Sequence, residues 1–162
     1  LEEEAVTAAI QDAPEWRRAG SVLLYRSVAP EFSTVGLANG AWRLGKRVLF
    51  PRVAGDGLGL HEVRGWQELR PGAFGIPEPI AACPEVLPVE AELAIIPALA
   101  WDRAGRRLGR GGGHYDRLLP RLEGLRWGVG FDVQLVEEVP VEGHDQSVQR
   151  VWTCAAQNLL PP

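Results

Sequence analysis

"ELAIIPALAWDRAGRRLGRGGGHYDRLLPRL", Glu92 to Leu122, sets an unbroken apolar run ahead of a glycine- and arginine-rich segment and an apolar tail. Glu92-Leu-Ala-Ile-Ile-Pro97 has the continuous hydrophobicity of a parallel strand buried on both faces. Gly105 to Pro120 then holds five glycines and four arginines, with a His-Tyr-Asp among them, and the pattern predicts a helix over Tyr115–Leu122. Strand, glycine loop and helix in that order suit an open α/β sheet, whose ligands gather at the carboxyl ends of its strands.

The same alternation recurs on either side. Ser21-Val-Leu-Leu-Tyr25 and Arg47-Val-Leu-Phe50 read as buried strands, the second closed by Pro51. Between them Thr34–Leu44 is predicted helical, with Thr34 as N-cap, Val35, Leu37, Ala38, Ala41, Trp42 and Leu44 on its apolar side, and Gly45 as its stop. Leu58–Val63 reads as an edge strand; Arg126–Phe131 and Val148–Thr153 supply two more. Leu1–Asp12 is a helix with Val6, Ala9 and Ile10 on one face and three acids in its first turn, ended by Pro14. Arg70–Pro88, rich in Pro and Gly, reads as a long loop. One α/β domain with a mostly parallel sheet is expected over residues 1–162.

Composition narrows the function classes. Hydrophobic residues make up 46% and charged residues 23% of 162 residues, the balance of a globular chain. No apolar run approaches the roughly 18 residues of a membrane span and no stretch reads as a signal peptide, so a cytoplasmic protein without membrane contact is expected. Cys83 and Cys154 form no CxxC, and two buried reduced thiols are expected. A net charge of −4 argues against nucleic acid as a partner. From Arg103 to Arg126, however, seven arginines face only Asp116 and Glu123. An anionic ligand or a solvated basic face both fit that charge alone. The chain has no Met and opens at Leu1, so further native sequence is expected ahead of it.

Glycines let backbone N–H groups turn inward and approach an anion closely. Arg107 and Arg110 add forked, charge-assisted donors for phosphate oxygens, and a helix start adds unpaired N–H groups. These features describe a polyphosphate cradle; a flexible surface loop is the alternative. The segment lacks the Lys-Ser/Thr of a Walker A loop, and His114 stands where a dinucleotide-binding GxGxxG would have its last glycine. Asp116 beside such a cradle would repel phosphate unless Mg²⁺ stood between them. By itself it equally fits a helix-start acid favoured by the dipole.

"RRLGRGGGHYDR", preceded by "LAIIPALAWDRAG", resembles the signature of the 5-formyltetrahydrofolate cyclo-ligase family. "LLYRSVAPEFST", "PGAFGIPEP" and "GVGFDVQLVEEVPVEGHD" are similar to three further family stretches and occur in the same order. The resemblance covers about Leu23 to Thr153. It implies a three-layer α/β/α fold like that of sugar-phosphate isomerases and CoA transferases. It also implies a small-molecule enzyme, expected to be a monomer, that uses ATP with Mg²⁺ to convert 5-formyltetrahydrofolate to 5,10-methenyltetrahydrofolate.

Carried over by motif, Arg107, Leu108, Gly109, Arg110, Gly111, Gly112, Gly113, His114 and Tyr115 resemble the ATP-binding stretch, with Arg110 and Tyr115 its catalytic residues. Arg110 to His114 also border the folate; Glu31 resembles the acid that recognises the pterin edge and Arg26 another substrate-lining position. Asp116 and Asp145 resemble the Mg²⁺ carboxylates, and a basic segment touching ATP is implied ahead of Leu1. A catalytically silent relative that binds folate or nucleotide is the alternative.

Overall fold

The computed structural model describes residues 1–140 and 146–155. Helix α1 (Glu2–Asp12) packs Val6 and Ile10 inward and carries Glu2, Glu3 and Glu4 on its first turn. Pro14 does end α1, but it also opens a second short helix, α2 (Pro14–Arg18). A proline at the first helical position loses no bond, since that N–H is unpaired in any helix.

Strand β1 (Ser21–Leu23) is buried throughout. Helix α3 (Val35–Arg43) follows, with Thr34 at its N-cap position. The Thr34 hydroxyl makes no cap; it donates to the Tyr25 carbonyl at 2.6 Å and ties the helix start to the end of β1. Strand β2 (Arg47–Ala54) runs through Pro51 and turns into β3 (Gly57–Val63) as a hairpin. Pairing of β1 with β2 stops at Leu49, so Pro51 sits where one side of the strand has no partner and a missing N–H does no harm.

The predicted loop over 70–88 contains short strands β4 (Leu69–Pro71), β5 (Pro77–Pro79) and β6 (Glu85–Val86). Strands β4 and β5 form a separate hairpin, and β6 pairs with β3, which is therefore not the edge. Next come β7 (Leu93–Ile96), a hairpin of β8 (Ala100–Trp101) and β9 (Arg107–Leu108), and α4 (His114–Leu118). Helix α4 is shorter than predicted and tightens into a 3₁₀ turn at Leu119–Arg121, where Pro120 lies. Strands β10 (Leu125–Val129) and β11 (Arg150–Trp152) complete the sheet.

The main sheet has the order β11-β10-β7-β1-β2-β3-β6. Neighbours from β11 to β2 are parallel, while β3 and β6 are antiparallel. Alternate side chains feed two cores. Val22, Val48, Phe50, Leu93, Ile95 and Trp127 join Val6, Ile10, Trp16, Leu37 and Ala41 from the first three helices. Leu23, Leu49, Ala94, Ile96 and Val151 join Trp101, Leu118, Leu119 and Leu122 on the other side. Both faces are thus covered, the arrangement that buried parallel strands require.

One difference concerns a side chain expected to be buried. Cys83 is buried, but Cys154 is only half-buried; both are free thiols. Among the described residues, no helix is long and apolar enough to cross a membrane.

Candidate active site

From β1 the chain passes to β2 on one side, while β7 lies on the other. The order therefore reverses between β1 and β7, and the crevice outside such a reversal is where open α/β sheets bind ligands. A cavity of about 500 Å³ occupies that position. Tyr25 and Arg26 reach it just beyond β1, Pro51 and Val53 from β2, and Pro97 and Ala98 just beyond β7. The β4–β5 hairpin supplies Phe74, Ile76 and Glu78, and the glycine loop closes the rest.

The β8–β9 hairpin aims that loop, and Asp102 holds the hairpin. Its fully buried carboxylate accepts from the N–H groups of Ala104, Arg106 and Val139 and from Arg106 Nε at 2.7 Å. Burial alone would raise the Asp102 pKa; the bonds from Val139 and Arg106 outweigh it and hold the carboxyl below its ordinary value. Past β9 the backbone takes left-handed conformations at Gly111 (φ 93°) and Gly113 (φ 72°). A side chain at either position would be strained, so the loop's path requires glycine there. Gly113 is also the N-cap of α4, but a five-residue helix has little dipole to offer. The positive charge here comes from arginines.

Arg107 is almost wholly buried. Its Nη1 donates to Asp116 Oδ1 at 2.9 Å, its Nε to the Pro97 carbonyl at 3.2 Å, and its guanidinium lies 5.7 Å from the Tyr115 ring centre. Burial pushes the Tyr115 phenol far above its ordinary pKa; the Arg107 charge opposes the rise and Glu31 adds to it. Tyr25 is shifted upward as well, by burial first and then by Glu31 and Tyr115. Both phenols are therefore neutral hydrogen-bond donors at ordinary pH. The Tyr25 donor is spent on the Phe32 carbonyl at 2.6 Å.

Glu31 faces the loop across the cavity. Its Oε1 is 2.7 Å from Arg110 Nη2, and its Oε2 accepts the Val28 N–H at 3.0 Å. Arg26 stacks 5.1 Å over the ring of Trp66, whose indole N–H donates to Asn39 at 2.9 Å.

The structure gathers most of the residues singled out in the sequence. Arg26, Glu31, Arg107, Gly109 to Gly113, His114, Tyr115 and Asp116 all line the one cavity. Leu108 does not; it pairs with Ala100 in the hairpin and is exposed. Asp145 lies outside the described residues. Sequence reasoning missed Tyr25, Val53, Phe74, Ile76 and Glu78 as lining residues. The signal for the last three was the "PGAFGIPEP" stretch, likened to a family stretch but with none of its residues assigned to the site.

No three His, Cys, Asp or Glu side chains cluster to hold a metal among the described residues. Asp116 nevertheless fits the kind of Mg²⁺ site that needs one or two protein carboxylates plus phosphate oxygens. It lines the cavity and is partly exposed, and Arg107 takes only one of its oxygens.

Residues 1–154 match the model of the 5-formyltetrahydrofolate cyclo-ligase family. The chain is 36% identical to the 5-formyltetrahydrofolate cyclo-ligase of Mycolicibacterium smegmatis over 144 residues, which are 82% of this chain and 73% of that one. It is 37% identical to the enzyme of that name from Escherichia coli over 143 residues, 83% of this chain and 78% of that one. The solution structure of Aquifex aeolicus 5,10-methenyltetrahydrofolate synthetase superimposes with a TM-score of 0.86 at 32% identity, covering 97% of this chain and 80% of that one. With its fold, its glycine loop and the match over residues 1–154 in agreement, the chain belongs to the 5-formyltetrahydrofolate cyclo-ligase family.

Proposed function

We propose that this chain joins 5-formyltetrahydrofolate and ATP in the cavity between β1 and β7, forming 5,10-methenyltetrahydrofolate, ADP and phosphate. One observation carries the proposal: an acid suited to a donor-rich pterin edge, Glu31, and an arginine–glycine loop suited to phosphate share one cavity. Neither half alone requires two ligands; a common cavity lets their reacting atoms meet.

The formyl oxygen attacks the γ-phosphorus, the bond to ADP breaks, and the amide oxygen becomes a phosphate ester. N10 then attacks the formyl carbon and loses its proton, and phosphate departs with the oxygen. Phosphorylation is what makes that oxygen a leaving group, so the protein's work is positioning and charge stabilisation. Arg107, fixed by Asp116 and Pro97, offers its positive charge to the phosphates without reorganising. The backbone of Gly109 to Gly113 cradles them. Tyr115, held neutral, donates a hydrogen bond where negative charge develops on the transferring group. Mg²⁺, held by Asp116 and phosphate oxygens, would neutralise phosphoryl charge.

The test is direct. Protein, Mg-ATP and 5-formyltetrahydrofolate should together generate the ultraviolet absorbance of the methenyl product, and absence of product removes the proposal. Thermal shift with each ligand then identifies a silent binder, since binding stabilises by RT ln(1 + [L]/Kd) without turnover.

A further inference from the structure

The Glu31–Arg110 ion pair joins the two halves of the cavity, and both oxygens of Glu31 already have a partner, one through the ion pair and one through a hydrogen bond. One partner is the Val28 backbone N–H, only three residues away, which fixes the orientation of the carboxylate. The other is a half-exposed arginine standing between two glycines, with Gly111 in a left-handed turn and open space around it. Of the two contacts, the exposed arginine's ion pair is the one that can be given up. A planar ligand edge carrying N–H donors would reach Glu31 by replacing Arg110.

From this we infer that the Arg110–Glu31 ion pair is a latch coupling the two ligand sites: a donor-bearing edge bound at Glu31 releases Arg110 for the phosphates beside it. The inference rests on the proposed assignment of folate to Glu31 and ATP to the glycine loop. Occupation of either site then favours the other by the same factor, because coupling between binding sites is reciprocal. The pair is partly exposed, and such pairs shift an equilibrium by about two- to fivefold.

The experiment measures the Kd of a non-hydrolysable ATP analogue with Mg²⁺, with and without saturating 5-formyltetrahydrofolate. Wild type should bind the analogue about two- to fivefold tighter when folate is present. In Arg110→Met both ligands should still bind, but the presence of folate should no longer change the analogue's Kd. Glu31→Gln breaks the pair from the other side, so the analogue alone should bind tighter than it does to wild type. Two bound ligands with no coupling in wild type, or coupling that survives in Arg110→Met, overturn the latch while leaving the site assignment intact. Failure of either ligand to bind folded wild-type protein overturns both.

Discussion

Arg107 and Asp116 close the glycine loop on itself. One stands at the start of β9, the other on the first turn of α4, and their side chains meet at 2.9 Å across the loop's base. The pair fixes Arg107 toward the cavity and leaves Asp116 one oxygen not engaged by it. Asp116→Asn keeps an acceptor for Arg107 but removes the negative charge. The fold should lose little, with Tm falling by no more than about 4 °C, as for a partly exposed pair. Use of Mg-ATP should weaken roughly 10- to 100-fold, the range for losing a group that supports a metal. Steady-state kinetics over a Mg²⁺ series decide it; unchanged kinetics take the metal role from Asp116.

Tyr115→Phe deletes one hydroxyl and keeps the ring under Arg107. If the phenol stabilises the transferring group, kcat should fall roughly 10²-fold, with a smaller change in KM. The raised pKa gives the sign of the pH dependence: the phenol stays protonated as pH rises, so wild-type activity should show no alkaline loss from this group near the usual tyrosine value of about 10. A variant with wild-type kcat would leave Tyr115 as packing for Arg107 only.

The parts of the fold legible in the sequence are those whose surroundings are simplest. Strands β1 and β7 are buried on both faces, so Val22-Leu23 and Leu93 to Ile96 are continuous apolar runs. The β4–β5 and β8–β9 hairpins have strands of only two or three residues, and Pro71, Pro77 and Gly105 read as loop. Pro14 marked the end of α1 correctly, but Pro51 misled as a strand end: it lies inside β2 because its partner strand has already ended. In the site, the glycine loop was visible because conformation and charge are local properties. Phe74 and Ile76 were not, since lining a cavity is a relation between distant segments. Asp102 gave no signal either, for its partners include Val139 from beyond β10.

Asp102→Ala should be among the costlier single changes. It leaves Arg106 and three backbone N–H groups without their acceptor in a fully buried position. Breaking a buried pair typically costs roughly 3–5 kcal/mol, which is roughly 6–20 °C in Tm for a chain of this size. Because the folded pKa is depressed, the carboxylate's contribution is complete above the unfolded value of about 3.9. It is lost as pH falls through the lower folded value. Asp102→Asn lacks this acid-sensitive contribution, so its stability deficit should shrink below about pH 4. A deficit constant from pH 3 to 7, followed by denaturant unfolding, would contradict the assignment.

Gly128→Ala and Gly111→Ala should fail in opposite ways. A Cβ on Gly128 would lie 2.5 Å from the Trp101 ring, which is fully buried and pinned by its indole bond to the Val129 carbonyl. The ring has nowhere to move, so the fold should lose about 1–3 kcal/mol or more by overpacking. Gly111 has open space for a methyl, but its φ of 93° does not suit one. Strain of about 1–2 kcal/mol is relieved there by letting the exposed loop change path. The expected outcome is a lowered Tm for Gly128→Ala with little change in KM for ATP, and a near-normal Tm for Gly111→Ala with a raised KM. Thermal melts and ATP saturation curves on the two purified variants separate these cases. Gly111→Ala with unaltered KM would mean that the loop's path at that residue does not matter for phosphate binding.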